Sequence, residues 1–464
     1  MTLYKQDIHL KSDVIYYGRP CSNSKFIKNG DVFFSFPHEN QDLFIKEALE
    51  NGASKVVVDN ARYLFSKALK KYNNGKQPKN IFAITGTNGK TSTAYFVYQL
   101  LKHKNHKVAY VGTIGFLSSE KFIPKTDTGK LTTPGAYEIH SLAKELYENN
   151  FDSLVIEASS HGLDQYRIHG LDIESVSFLN ITQDHLDYHK TMDSYFESKK
   201  KLISDFSYNT GVINGDDKYI STLKKDKPYL ITFGFNEGNN YKIEKIDKNK
   251  VSLKINSETY SFYWNNIGDF QVMNVIAAIA MISKFYKISE IVNILSELKA
   301  PPGRMECVNI SKGTVIIDFA HTPDALEKAL MEVKKIALNK IWTIFGCGGD
   351  RDNSKRELMG KIADKYSDKL IITNDNPRFE NPQKIFNDIK SGIKSKNYKC
   401  IEDRESAIKY AITNMEEGDI ILIAGKGHEN NQVINGKNIT YNDKKVVELF
   451  TNNTESKNNE MDSI

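Results

Sequence analysis

Eight residues, Thr85-Gly86-Thr87-Asn88-Gly89-Lys90-Thr91-Ser92, constrain this chain more than any others. They follow the apolar run Ile81-Phe82-Ala83-Ile84 and precede a helical pattern, Tyr95-Phe96-Val97-Tyr98-Gln99-Leu100-Leu101. A buried strand, a glycine-bearing turn and a helix start together make a phosphate cradle. Backbone N–H groups gather at the turn, the helix dipole favours anions, Lys90 can reach the outer phosphates and Thr91 can hold Mg²⁺. Ile84 stands where the longer P-loop has its first glycine, so this is a shortened loop. The alternative, a Gly-Lys-Thr turn with no ligand, fits the strand–turn–helix context poorly. An ATP site is expected over Gly86–Ser92.

At 464 residues the chain exceeds one ordinary core, and about three domains are expected from length. Lys+Arg 63 against Asp+Glu 58 leaves a net charge of only +5, and no basic block interleaves with aromatics. Nucleic acid is therefore not an expected partner. Cys21, Cys307, Cys347 and Cys400 are scattered without metal spacing and read as reduced thiols. Met1–Leu10 lacks a signal-peptide core and no run reaches about 18 apolar residues, so a cytoplasmic protein without membrane contact is expected.

The sequence predicts an α/β chain of three domains. Residues 1–79 form a small α/β unit, with strands at Asp31–Phe36 and Lys55–Asp59, a helix at Leu43–Asn51 and a linker from Lys71. Residues 80–299 carry short apolar runs at Ile81–Ile84, Val108–Val111, Leu154–Ile156, Val176–Leu179, Val212–Ile213 and Leu230–Phe233, the pattern of a mostly parallel sheet. Tyr241–Trp264 alternates as an antiparallel excursion, and Val272–Tyr286 reads as a buried helix. Beyond Pro301-Pro302-Gly303, residues 300–450 form a Rossmann-like unit, and 451–464 a polar tail. In this last unit Gly346–Asp352, Asn374–Arg378 and Gly425–Glu429 each follow a predicted parallel strand, where open α/β sheets bind ligands.

Glu157 and the stretch Asn180–His189, with His185, also end predicted strands, where an oxygen or imidazole can complete an Mg²⁺ shell; helix capping by Glu157 is the alternative. On a helix from Ser194 to Phe206, Lys199 falls on the face of Tyr195, Phe196, Leu202, Ile203 and Phe206. The pattern alone leaves two readings open. Lys199 can snorkel to solvent, or burial can hold it as a neutral amine able to take up CO₂ as a carbamate.

Thr85–Ser92, Glu157-Ala-Ser-Ser-His161-Gly, Asn180–His189, Pro302-Gly-Arg-Met-Glu306 and Asp318-Phe-Ala-His321-Thr-Pro closely resemble, in order, the motifs of the Mur ligases. These are ATP-dependent amino-acid ligases of peptidoglycan precursor synthesis, and so of the cell wall, cell shape and division. The resemblance implies that Gly86, Thr87, Asn88, Gly89, Lys90, Thr91 and Ser92 hold ATP, with Asn274, Arg304, Asp318 and His321 as further nucleotide contacts. It implies Mg²⁺ on Thr91, Glu157, His185 and Lys199, the last carbamylated to N6-carboxylysine, with Lys90, Lys199 and His185 serving catalysis.

Within the family, Leu131-Thr132-Thr133-Pro134 and Ser159–Arg167 resemble members that act on UDP-N-acetylmuramoyl-L-alanyl-D-glutamate, which would meet Thr132, Thr133, Ser159, Gln165 and Arg167. Ser24 would be the first-domain contact to UDP, although Lys25 departs from the family arginine. Asp375-Asn376-Pro377-Arg378 resembles members that add meso-diaminopimelate, with Arg351, Gly425 and Glu429 as the other amino-acid contacts. A planar guanidinium suits the extra carboxylate of that diamino acid, which lysine lacks. A surface ion pair is the other reading of Arg378. Rivals are a lysine-adding relative, a folylpolyglutamate synthase, a P-loop NTPase switch, and a protein that binds nucleotide without turnover. A monomer is expected.

Overall fold

The computed structural model describes residues 18–129 and 131–451, so the readings of Met1–Leu10 and of the tail from 452 lie outside the described residues. Two compact units separate: one runs to Lys242 and takes in Ala277–Lys287, and the other comprises Ile243–Ile276 and the chain from Ile288.

The first unit opens with a parallel sheet of β1 (Pro20–Cys21), β2 (Val32–Phe34) and β3 (Lys55–Val57). Strand alternation sends Val32 and Phe34 to one face and Phe33 to the other. Helix α1 (Gln41–Glu50) covers the Phe33 side and α2 (Ala61–Tyr72) the Val32 side, through Phe65 and Leu69. A larger sheet follows, built from β4 (Asn80–Thr85), β5 (Val108–Gly112), β6 (Gly115–Ser118), β7 (Ser153–Glu157), β8 (Ser175–Phe178), β9 (Thr210–Asn214) and β10 (Ile231–Gly234). In this unit the order is β10-β9-β8-β4-β7-β5-β6, with only β6 antiparallel to its neighbour. All six β4 residues are buried, as a strand covered on both faces requires. The unit's other helices are α3 (Lys90–His103), α4 (Ala136–Glu148), α5 (Ser160–Asp164), α6 (Leu186–His189), α7 (Met192–Ser204) and α8 (Leu223–Asp226). Strands β7, β4 and β8 are adjacent and parallel, so the loops at their carboxyl ends share one edge.

Strand β11 (Tyr241–Asp247) begins in the first unit, where Tyr241 and Lys242 pair with β10; in the second unit β12 (Lys250–Ile255) and β13 (Glu258–Tyr263) form an antiparallel pair. Helix α9 (Asp269–Met281) starts earlier and stops earlier than its apolar run suggested, and α10 (Ile288–Ile291) follows. A sheet of β14 (Glu306–Ile310), β15 (Gly313–Asp318), β16 (Ile341–Phe345), β17 (Lys369–Ile372), β18 (Tyr398–Cys400) and β19 (Asp419–Ala424) has the order β14-β15-β19-β16-β17-β18, with β14 alone antiparallel. Helices α11 (Pro323–Ile336), α12 (Lys355–Tyr366) and α13 (Pro382–Lys390) pack on one face, and α14 (Arg404–Asn414) on the other. A hairpin, β20 (Asn431–Ile434) and β21 (Lys437–Thr440), follows, and a last helix over 443–451 packs with α14 through Val446 and Val447. No described helix is long and apolar enough to cross a membrane.

Candidate active site

Thr85 ends β4 and Lys90 begins α3, with Gly89 at φ +83°, a left-handed conformation that a side chain strains. Asn180, after β8, ties down the loop. Its backbone carbonyl accepts from Thr87 N–H (3.0 Å), and its side-chain oxygen accepts from Asn88 N–H (2.8 Å). Those two amides are therefore spent on the protein. Lys90 Nζ donates to the carbonyls of Gly86 and Thr87, each at 2.8 Å.

Lys199 also donates to Gly86 O, at 2.8 Å, and its Nζ lies 4.7 Å from the Tyr195 ring centre. It is 1% exposed, so snorkelling is ruled out in this structure. Burial first, and the Lys90 charge second, hold its amine well below the usual lysine range.

Glu157 is the hub of the site. As the last residue of β7 it is fully buried, not a helix cap. Its Oε2 accepts from the hydroxyls of Thr91 (3.0 Å) and Thr113 (2.9 Å), and its Oε1 from Thr113 N–H (3.0 Å) and the Tyr110 phenol. Thr132 joins through its hydroxyl, 3.2 Å from that of Thr113. Thr133 donates to the Glu157 carbonyl at 2.7 Å and lies 2.9 Å from the hydroxyl of Ser159, which caps α5. Arg167 donates to Thr133 O (2.7 Å) and to Gln165 Oε1 (2.8 Å). The structure thus brings Thr91, Glu157, Thr132, Thr133, Ser159, Gln165 and Arg167 into one chain of contacts. His185 stands apart: it has φ +52° and is half exposed, with its ring against His161 and Asp184. Among the described residues no group of three His, Cys, Asp or Glu is arranged to hold a metal. Ser24 lies by α1, where its hydroxyl meets Glu47.

Sequence reading missed Tyr110 and Thr113, although Thr113 follows the β5 strand end just as Glu157 closes β7. It also missed Arg62, which reaches Gln165 Oε1 at 3.5 Å.

In the second unit Asp318 ends β15 and accepts from Met305 N–H at 2.7 Å. Burial pushes its carboxyl up, with nearby Arg304 opposing. The Arg304 guanidinium sits 4.6 Å over Phe319, and its buried Nε has no hydrogen-bond partner among the described residues. Asn274 donates to Gln271, which reaches Arg304 O, and His321 Nδ1 lies 2.9 Å from Phe319 O.

The three polar clusters meet at the carboxyl edge of β16, β17 and β19. Gly425 N–H donates to Asp318 O, and a Cβ on Gly425 would lie 2.6 Å from Asp375 Oδ2. Gly349 N–H donates to Asn376 O (2.9 Å), and Arg378 returns a bond to Gly349 O (2.7 Å). The hairpin pins this loop from the other side: Arg378 N–H donates to Val433 O and Gln432 donates to Asp375 O. Arg378 has φ +55° and makes no ion pair with a described carboxylate, so the surface-pair reading fails. Pro377 is buried within the loop and Arg351 is exposed. Glu429 pairs with Lys426, which sequence reading left without a role.

A strand–turn–helix loop joined to a buried strand-end carboxylate, and a separate sheet with three polar loops at one edge, fit an ATP-dependent acid–amino-acid ligase. Residues 84–282 match the Mur ligase middle domain and residues 303–427 the Mur ligase glutamate ligase domain. The chain belongs to the Mur ligase family. It is similar to the UDP-N-acetylmuramoyl-L-alanyl-D-glutamate--2,6-diaminopimelate ligase of Aquifex aeolicus (strain VF5), with 41% identity over 92% of each chain. The ligase of that name from Rickettsia bellii (strain RML369-C) is 40% identical over 92% of this chain and 94% of its own. A solved structure of a ligase of that name superposes with a TM-score of 0.71 at 31% identity, covering 98% of this chain and all of that one.

Proposed function

We propose that this chain joins meso-diaminopimelate to the D-glutamate side-chain carboxylate of UDP-N-acetylmuramoyl-L-alanyl-D-glutamate, with conversion of ATP to ADP and phosphate. The observation that carries the substrate assignment is Arg378, a guanidinium held in a doubly tethered loop with no carboxylate partner among the described residues. The distal carboxylate of a diamino diacid supplies the missing partner, whereas lysine leaves it unmet. The relatives' shared name agrees with this choice.

The D-glutamate carboxylate attacks the γ-phosphorus, ADP leaves, and an acyl phosphate forms. The deprotonated amine of the amino acid attacks its carbonyl carbon, and the tetrahedral adduct expels phosphate to leave an amide. The protein needs no covalent nucleophile; it positions substrates and offsets negative charge. Lys90, now satisfied by two loop carbonyls, exchanges them for phosphate oxygens, with Gly86–Ser92 around the anion. Asn274, Arg304, Asp318 and His321 serve the nucleotide.

The Thr91 hydroxyl and the Glu157 carboxylate, 3.0 Å apart, suit Mg²⁺, which takes a hydroxyl and a carboxylate oxygen. Thr91, Glu157, His185 and carbamylated Lys199 would hold it. When bound, Mg²⁺ neutralises phosphate charge. The buried Lys199 amine attacks CO₂ and loses a proton, giving the carbamate. Thr132, Thr133, Ser159, Gln165 and Arg167 bind the muramoyl dipeptide, and Ser24 the UDP end. Arg351, Asp375, Asn376, Pro377, Gly425 and Glu429 line the amino-acid site with Arg378. We place the enzyme in the cytoplasm as a monomer.

The test supplies purified protein with ATP, Mg²⁺ and the UDP-dipeptide, and offers each amino acid in turn. Phosphate release that requires meso-diaminopimelate supports the proposal. Release with lysine reverses the substrate assignment, and release without any amine makes the chain an NTPase.

A further inference from the structure

Lys426 is wholly buried at the foot of the amino-acid loops, an expensive place for an ammonium unless it is paired. Its Nζ donates to Glu429 Oε2 at 2.7 Å and to Asn376 Oδ1 at 3.1 Å. Asn376 Nδ2 donates to the same Glu429 Oε2, also at 3.1 Å, closing a triangle of three side chains. A second donor, Val433 N–H at 2.9 Å, fixes which end of the Asn376 amide is oxygen.

The distribution of bonds has two consequences. Asn376 Oδ1 already accepts from two protein donors, so the side chain supports its neighbours and is not a ready acceptor for a substrate ammonium. Glu429 Oε2 also takes two donors, whereas Oε1 takes none from the described residues, and the Glu429 side chain is 31% exposed. The carboxylate is thus anchored by one oxygen from a buried cation and presents the other outward. Backbone geometry holds the arrangement in place. Gly427 has φ +52°, and a Cβ there would lie 2.7 Å from Gly303 O, so Lys426 and Glu429 flank a fixed turn.

We propose that Lys426, with Asn376, is a positioning residue that presents Glu429 Oε1 to the ammonium group of the incoming amino acid. The inference rests on the reading of Glu429 as an amino-acid contact. Without the anchor, Glu429 regains rotamer freedom that must be lost again on binding, so affinity for the amino acid falls while the chemistry on ATP is untouched.

The experiment is a double-mutant cycle with Lys426→Met and Glu429→Gln, read as separate KM values for the amino acid, ATP and the UDP-dipeptide. K426M is expected to raise the amino-acid KM by about tenfold or more, with the other two KM values and kcat within about twofold. E429Q raises the same KM, and adding K426M to it changes little, because Lys426 acts through Glu429. If K426M fails to fold, Lys426→Gln, which removes the charge but keeps a polar group in the buried place, carries the same expected KM pattern. Additive effects, or KM values that rise together for all three substrates, overturn the positioning role. An E429Q enzyme with an unchanged amino-acid KM overturns the reading of Glu429 beneath it, which is a distinguishable failure.

Discussion

Glu157 shows how one buried carboxylate can be held by neutral donors: Thr91, Thr113 and Tyr110 give it four hydrogen bonds. Tyr110→Phe removes one donor and preserves the ring. It is expected to lower unfolding free energy by about 1–3 kcal/mol in urea titrations, the usual penalty for stripping a partner from a buried polar group. An unchanged midpoint would show that the phenol contributes nothing. Arg378→Ala is expected to raise the KM for meso-diaminopimelate by roughly 10–150-fold, equivalent to a charge-assisted contact, and to leave the KM for ATP alone. Equal losses for both substrates would place Arg378 outside the amino-acid site. Residue-level features were legible where spacing is local. The helical positions of Tyr195, Lys199 and Leu202 put the lysine on the apolar side, and the structure buries it. Thr113 was marked only by its place after the end of β5, and Tyr110 and Lys426 not at all, because their partners lie on other strands or loops and no local pattern marks such pairs.

At the scale of elements, α14 is fastened to the strand ends by a pair wholly out of solvent. Arg404 donates twice to Asp443, at 2.8 Å each, and once to Ala424 O at 3.0 Å, where β19 gives way to Gly425. Arg404→Met leaves a buried carboxylate uncompensated and is expected to destabilise the second unit by about 3–5 kcal/mol in chemical denaturation. The double variant Arg404→Met with Asp443→Leu recovers most of that loss if the penalty is the orphaned charge. A double variant as unstable as the single one would mean that the bonds to the strand end matter more. The long buried strands β4, β16 and β19 announced themselves as apolar runs. The strands β1, β6 and β18 and the hairpin of β20 and β21 did not, since they are very short or largely exposed and carry little apolar signal.

Across the whole molecule, parallel strands deliver polar loops to a common edge in each large sheet, which is why motifs far apart in sequence meet. The same burial sets the pH range of stability. His140, on the buried face of α4 with Nε2 2.9 Å from His169 O, is held down to about 4, burial being the main cause. The unfolded imidazole titrates near 6.5 and binds a proton that the folded one refuses, so stability is full above about pH 6.5 and falls as pH drops towards 4. The loss attributable to His140 is of order 3 kcal/mol, and His140→Gln should reduce the pH slope of the denaturation midpoint across that window, with His169, also held down to about 4 by burial, supplying part of the remainder. A variant with the same pH slope as the parent would assign the loss to other groups. Coupled chemistry is the most demanding property of the molecule, because ATP cleavage and amino-acid choice must appear in one product. That coupling is read directly by letting meso-diaminopimelate and L-lysine compete at equal concentration for UDP-dipeptide labelled with ¹⁸O in the D-glutamate side-chain carboxylate, and weighing both products. The expected result is a diaminopimelate-containing tripeptide in excess by on the order of 10²-fold, with one ¹⁸O carried into phosphate. Lysine in the tripeptide, or phosphate without label, would contradict the account.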